Sequence, residues 1–282
     1  MWSRLAINHS GARLTATPRR LIMADTEELA RGYTLANQTQ KDTATFLLQK
    51  LDITRDMRVL DVGCGPGDIT VRIAQLVGQN GKVVGIDPSD ERISIAVSER
   101  EKTNVSFQEG RAEDLSQFPS KSFDTVFVNS TLHWVQDQPT AVKEFGRVLR
   151  SGGRLGISGG SGDFVAAHEK IKADVLSRSP YNMYPEQSPP RFLRLLELED
   201  LLDKAGFHER EIIRRNIVKS AENADAMLNW LDTSSSGKTY GGIPLELRPR
   251  AREEMKHEWD KLMTKDGIQM ELELLVTIAV RT

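Results

Sequence analysis

From Met57 to Ser158 the chain alternates short apolar runs with stretches whose apolar residues recur every three or four positions. The runs are Arg58 to Val62, Lys82 to Asp87, Val105 to Glu109, Phe123 to Asn129 and Arg154 to Ser158. Between them, Ile69 to Val77, Asp90 to Arg100 and Thr140 to Leu149 carry the helical period. Ile93, Ala96 and Val97 share one face of the second, and Val142, Phe145, Val148 and Leu149 one face of the third. Strand-length runs alternating with helices predict an α/β fold whose parallel sheet is covered on both faces. Ser151, Gly152 and Gly153 are expected to end the third helix, because glycine accepts the left-handed backbone of a helix stop.

The rhythm changes beyond Ser158. Leu195 to Ala205 is a strongly apolar helix stopped by Gly206, and Glu209 to Val218 can form a further strand. The last segment, IQMELELLVTIAVRT, puts Met270, Leu272, Leu274, Val276, Ile278 and Val280 on one face and Glu271, Glu273, Thr277 and Arg281 on the other. Period-two alternation predicts a half-exposed strand, antiparallel at or near a sheet edge. Ser220 to Gly267 lies between these strands, with helical stretches at Ala224 to Leu231 and Leu247 to Met263. A connection that long inside a compact domain usually covers something. It reads as part of a substrate lid, together with Ala30 to Leu51 and Gly159 to Arg191.

This gives one domain over residues 24–282 after a tail, 1–23. N-terminal lid helices occupy 24–56, the ligand-binding core 57–158, lid segments 159–191 and 220–267, and the final helix and strands 192–219 and 268–282. The tail carries Arg4, Arg13, Arg19 and Arg20, and its first 22 residues contain no acid. The tail is read as disordered before a second possible start at Met23, which leaves the protein cytoplasmic; the alternative is a mitochondrial transit peptide, which that composition suits. An apolar secretory core is missing from it.

Composition narrows the ligand. Among 282 residues, 38 Lys and Arg oppose 40 Asp and Glu, so net charge gives no footprint for nucleic acid or anionic lipid. Cys64 is the single cysteine, which excludes an intrachain disulfide and a cysteine-rich metal site. No apolar run is long enough to span a bilayer. The expected partner is a small molecule, with no metal and a monomeric or homodimeric chain.

LDVGCGPGDIT, Leu60 to Thr70, places Gly63, Gly65 and Gly67 between a strand and a helix. Glycine there permits positive φ and lets backbone lie against a ligand. Dinucleotide folds use G-x-G-x-x-G for a pyrophosphate; here the spacing is G-x-G-x-G, with Asp68 opening the helix. That carboxylate would repel phosphate and suits ammonium or sulfonium charge. Asp87 ends the second strand, where an acid commonly accepts ribose hydroxyls. Ala112 and Glu113 in GRAEDL are candidates for an adenine edge. Asn129 and Ser130 fall beside the glycine loop, and His133 and Trp134 at the pocket mouth. Cys64 is expected to pack under the sheet end rather than react.

Together, VLDVGCGPGDIT, VVGIDPS, GRAEDL, SFDTVFVNSTLHWV and VLRSGGRLGIS make the chain resemble the class I S-adenosylmethionine-dependent methyltransferases. The resemblance implies a seven-stranded, Rossmann-like, doubly wound sheet with an antiparallel last strand and helical lid insertions. It also implies S-adenosyl-L-methionine as cofactor, held by Asp61, Gly63, Gly65, Gly67, Asp68, Asp87 and Pro88, then Ala112, Glu113, Asn129 and Ser130. A narrower likeness, carried by LHWV and loosely by RGYTLANQTQKDTATFLLQKL and the MLNWLDTSSSGKTYGGIPLELRPRAREEMKHEWDKL insert, is to the trans-aconitate methyltransferase group and its carboxyl-methylating relatives. TSSSGKTYGG departs from that group's pattern.

The implied reaction is methyl transfer to a small-molecule acceptor, by O-methylation of a carboxylate or a secondary metabolite. C- or N-methylation, or a silent protein that binds the cofactor without transfer, are the alternatives; an NAD oxidoreductase is disfavoured by the glycine spacing and Asp68. A carboxylate acceptor needs no base, whereas a phenol or carbon acid would enlist His133. Tyr33 is a further catalytic candidate, lining the sulfonium or orienting the acceptor. Trp134 and Tyr33 are expected to line the acceptor pocket. A carboxylate would also want a cation, for which Arg191, Arg194, Lys238 and Arg248 are available.

Overall fold

A computed structural model describes Thr26, Leu29, residues 31–32, 38–100, 102–186, 188–235 and 237–282. Tyr33 and the tail lie outside the described residues, and with them the expectations placed on them. The first half runs α1 (Gln38–Leu51), β1 (Arg58–Val62), α2 (Asp68–Val77), β2 (Lys82–Asp87), α3 (Asp90–Arg100), β3 (Val105–Glu109), β4 (Phe123–Asn129), α4 (Gln138–Val148) and β5 (Leu149–Gly160). The second runs α5 (Ala167–Leu176), α6 (Leu195–Lys204), β6 (Glu209–Ala221), α7 (Ala224–Ser234), α8 (Arg248–Asp260), β7 (Met263–Thr264) and β8 (Gly267–Val280).

The sheet order is β3-β2-β1-β4-β5-β8-β6, with the two-residue β7 attached to β8. Strands β1 to β5 pair in parallel, and β8 is antiparallel to both β5 and β6. The predicted seven-stranded doubly wound sheet is thus present, its last strand reversed. Strands β1, β2 and β4 are buried on both sides, as βαβ crossovers require, whereas the edge strand β3 alternates, with Ser106 and Gln108 exposed. Leu60, Val62, Val126 and Val128 face one core with α4 and α6; Val59 and Phe127 face the other with α1 and α2.

Two expectations are corrected. Helix α4 stops at Val148, before the glycines, and Leu149 already belongs to β5. Ser151, Gly152 and Gly153 instead make an irregularity where β5 shifts register between Phe123↔Leu149 and Thr125↔Arg154, and Gly152 donates to the Arg281 carbonyl at 2.7 Å. Strand β8 is not half-exposed along its length. From Leu274 to Ala279 it is buried on both faces, because β6 takes the edge position and helices cover each side. True alternation is confined to Ile268–Glu271, where β8 runs beyond β5.

That overrun builds the lid. Register with β5 ends at Leu274↔Gly160, while register with β6 continues to Ile268↔Ala221. Ile268 and Met270 on the projecting ribbon pack with Met227, Leu228, Trp230, Met255 and Trp259 of α7 and α8, forming a third core. Asn223 caps α7 by accepting from the Ala226 N–H at 2.9 Å, which satisfies one of the helix's orphan donors.

Helix α1 reaches the far side of the same region. Ala44, Leu47 and Leu51 are fully buried against the sheet, and Arg154 fixes the helix end by donating to the Leu51 carbonyl at 2.9 Å. Gly156 of β5 permits this approach: a Cβ there would lie 2.5 Å from Leu51 Cδ1 and 2.9 Å from its Cγ. Gly156→Val should lower the unfolding free energy by about 1–3 kcal/mol, the usual cost of overpacking. Urea titration should show the lower midpoint; an unchanged midpoint would mean α1 docks loosely.

Candidate active site

The turn after β1 is tied down by backbone. Gly63 and Cys64 N–H groups donate to the Ile86 carbonyl at 2.8 and 3.0 Å, and the Gly65 N–H donates to Asp87 Oδ2 at 3.0 Å. Gly63, Gly65 and Gly67 all have positive φ, at 74°, 55° and 90°, a conformation that side chains disfavour. The three glycines do different jobs. Gly63 and Gly65 line a large chamber. Gly67 does not: it precedes α2, and a Cβ on it would run into the Phe107 ring at 2.7 Å. Cys64 is buried, its thiol pushed well up by burial and then by Asp61 and Asp87, so it is an unreactive packing residue at neutral pH.

Asp87 joins two elements. Besides accepting from Gly65, it accepts from the Ser89 N–H through Oδ1 at 3.0 Å, so one carboxylate links the glycine loop to the turn before α3. Asp87 and Pro88 line the chamber, as do Asn129 and Ser130 at the end of β4. The Asn129 side chain is a clasp: Oδ1 accepts from Ser158 Oγ at 2.6 Å, and Nδ2 donates to the Gln40 carbonyl of α1 at 3.3 Å. Ala112 and Glu113 do not line the chamber. Ala112 packs in the core, and Glu113 lies 3.9 Å from Arg111, which does line it.

Asp61 and Asp68 face a small side cavity of about 30 Å³ that also touches Gln40, Lys41 and Gly63. Asp61 accepts from Thr70 Oγ1 at 2.7 Å. Burial raises its carboxyl to about 7, against the Thr70 hydrogen bond and with help from the Asp87 charge. Asp68 pairs with Arg100 at 3.1 Å, yet its Oδ2, like Gln40 Oε1, is buried with no partner among the described residues. Orphaned acceptors in a cavity beside bare glycine backbone suit a ligand carrying a hydrogen-donating cation. Gly63 opens to both spaces.

The main chamber, about 590 Å³, extends from the glycine loop to the lid. His133 stacks on Phe192 with ring centroids 4.8 Å apart, and its Nδ1 has no hydrogen-bond partner among the described residues. Burial, then His168 and Lys238, depress its imidazole to about 3. His168 is likewise depressed to about 4 by burial and by Lys172. Both rings are therefore neutral at pH 7. Lys238 stands over the Trp134 ring, 4.8 Å from its centroid, with burial lowering its ammonium pKa. Lys172 bonds the Glu186 carboxylate and the Lys238 carbonyl, the latter at 3.2 Å.

Of the four cations considered in the sequence, Lys238 lines the chamber and Arg191, Arg194 and Arg248 do not. His168, Lys172, Thr39, Gln40 and Thr43 line it without having been singled out. Thr39, Gln40 and Thr43 come from α1, inside the loose RGYTLANQTQKDTATFLLQKL likeness, and His168 and Lys172 from α5, where no motif marks them and only helical spacing could place the two on one face. Among the described residues no three His, Cys, Asp or Glu side chains gather to hold a metal, and no helix is long and apolar enough to cross a membrane.

Known proteins place this architecture. A family model described as "Methyltransferase domain" matches residues 53–234. An uncharacterized methyltransferase of Schizosaccharomyces pombe is 31% identical over 66% of this chain and 72% of its own length. Nocamycin O-methyltransferase of Saccharothrix syringae is 28% identical over 67% and 73%. A ubiquinone/menaquinone biosynthesis C-methyltransferase of Proteus mirabilis is 36% identical over 39% of this chain, and that match spans 45% of the relative. Among solved structures, the YcgJ protein of Bacillus subtilis superposes with a TM-score of 0.60 at 19% identity, covering 86% of this chain and 98% of that one. With the family match spanning the glycine loop, Asp87, the first lid segment at 159–191 and α7, the chain belongs to the methyltransferase-domain family and is an S-adenosylmethionine-dependent methyltransferase.

Proposed function

We propose that the protein methylates an oxygen of a small organic acid, with the acceptor's carboxylate held by Lys238. Lys238 carries this reading: an ammonium group projecting over Trp134 in the chamber that the glycine loop opens into. The trans-aconitate group named from the sequence is one family of such reactions. The name of the Saccharothrix relative, an O-methyltransferase, agrees with oxygen as acceptor; that of the Proteus relative, a C-methyltransferase, stands for the alternative.

When bound, S-adenosylmethionine supplies a methyl group already activated by sulfonium charge. The chain's residues do the holding. Gly63 and Gly65 offer backbone without side chains, the Asp87 carboxylate sits where a ribose would be met, and Asp68 Oδ2 and Gln40 Oε1 offer acceptors to an ammonium. Asn129 keeps α1 closed on this end through the Gln40 carbonyl. Positioning of two reactants in this way can supply roughly 7–11 kcal/mol of barrier lowering.

Proton chemistry separates the candidate acceptors. His133, depressed to about 3, is neutral across the physiological range and a feeble base. It cannot readily take a proton from a phenol or carbon acid, whose own pKa lies far above. A carboxylate is ionised already and asks for no base. In that reaction His133 acts through stacking and hydrogen bonding, with His168 beside it and Lys238 supplying the charge.

With labelled methyl donor and a panel of carboxylic acids, Lys238→Met should raise KM for the acid about tenfold to a hundredfold, the loss expected for one charge-assisted hydrogen bond. Affinity for the donor should stay unchanged; an unaffected KM would remove Lys238 from the acceptor site. At saturating acid and donor the rate should be flat from pH 6 to 8, because neither His133 nor the acceptor titrates there; Asp61, raised to about 7 by burial, faces the side cavity, so its titration should appear in the KM for the donor. KM for the acid should then rise on the alkaline side as Lys238 deprotonates, earlier than an ordinary lysine would. A kcat that climbs with pH through the ordinary histidine range, and that His133→Gln abolishes, would instead establish base catalysis.

A further inference from the structure

The chamber's lining divides by element. Its ionisable side chains come from Asp87 at the end of β2 and the helix after it, from Arg111, from His133 after β4, from α5 and from Lys238. What α7, α8, β6 and β8 contribute carries no charge at all, although α8 itself reads RPRAREEMKHEWD. From that highly charged helix only Met255 and Trp259, one turn apart, reach the chamber, joined by Leu228 and Leu231 of α7 and by Leu272 and Leu274 of β8. Leu228, Met255 and Trp259 are at most 1% exposed and form the packed backing of this wall; its open surface is Ile217 and Leu272, half-buried, with the edges of Leu231 and Leu274.

We infer that the acceptor is amphipathic, a medium-length carboxylic acid whose hydrocarbon chain lies against the lid wall of α7, α8 and the β6–β8 ribbon while its head meets Lys238. This rests on the carboxylate reading above and specifies its substrate class. A short, polar acid would leave the cavity-facing parts of Ile217, Leu231, Leu272 and Leu274 against water. A chain reaching along them exchanges that surface for dispersion contact and releases water, the usual logic of a mostly apolar pocket with a few placed polar groups.

Titration calorimetry tests it on the protein saturated with S-adenosylhomocysteine, using acetate, butanoate, hexanoate and octanoate, with 1-octanol as an uncharged probe. From butanoate to octanoate the dissociation constant should fall about fourfold per methylene, the ratio that ~0.8 kcal/mol per buried CH₂ corresponds to. Leu272→Phe, which fills the apolar end, should weaken octanoate at least tenfold and leave butanoate unchanged. Ile217→Phe, on the edge strand lining the same end, should do the same and serves if the first variant does not fold. A series that is flat in chain length, or a slope that survives both variants, overturns the inference. If instead the slope persists but 1-octanol binds as tightly as octanoate and Lys238→Met changes neither, the carboxylate reading fails while the apolar site stands. Absence of binding by every acid and by the alcohol overturns both.

Discussion

The antiparallel ladder between β6 and β8 is what the rest of the molecule hangs on. Its inner half, Leu274 to Val280 of β8, is also paired to β5, so it belongs to the cofactor-binding sheet. Its outer half, Ile268 to Glu273, is paired to β6, with β7 joining at Ile268, and carries the lid helices on its apolar side. The sheet floor and the lid roof of the chamber are therefore joined by continuous backbone hydrogen bonding. A roof held in this way has little freedom to drift, because sliding by one residue would turn Met270 and Ile268 out of the lid core.

Two side-chain ties complete the enclosure from below. Asp87 binds the glycine loop to the turn before α3, and Asn129 binds β4 and β5 to α1. Enclosure then sets the electrostatics. Low dielectric raises Asp61 to about 7, depresses His133 to about 3 and weakens the ammonium character of Lys238. Each shift follows from burial first and neighbours second. The consequence is a chamber of neutral imidazoles with a cation near Trp134, a setting in which an anionic acceptor needs orientation rather than deprotonation.

The sheet was legible in the sequence because parallel strands buried on both faces are written as unbroken apolar runs, and because glycine and acid sit at strand ends where topology puts ligands. Arg58–Val62, Lys82–Asp87, Val105–Glu109 and Phe123–Asn129 are each strands over the expected residues. The misreadings share a cause in tertiary context. Ser151, Gly152 and Gly153 look like a helix stop, but a bulge in β5 uses them, with Gly152 hydrogen-bonded to Arg281. Alternation in the last strand looked like one wet face until β6 covered the edge. Gly67 and Gly63 are alike in sequence, and a Cβ on either would clash, with the Phe107 ring at Gly67 and with Thr131 at Gly63; only the position of Gly63 on the chamber wall tells them apart. Lys238, His168 and Lys172 had no local signature, since what makes them matter is a cavity assembled from segments some seventy residues apart.

On the proposed function, one chamber takes the methyl donor at the glycine loop and an anionic, chain-bearing acceptor under the lid. A crystal structure of the ternary complex with S-adenosylhomocysteine and octanoate would show this arrangement. The carboxylate should lie within hydrogen-bonding distance of Lys238 Nζ, the alkyl chain against Leu272 and Ile217, and the sulfur should face the carboxylate across the chamber. A carboxylate bound away from Lys238, or a chain directed to solvent with the lid wall untouched, would contradict that arrangement.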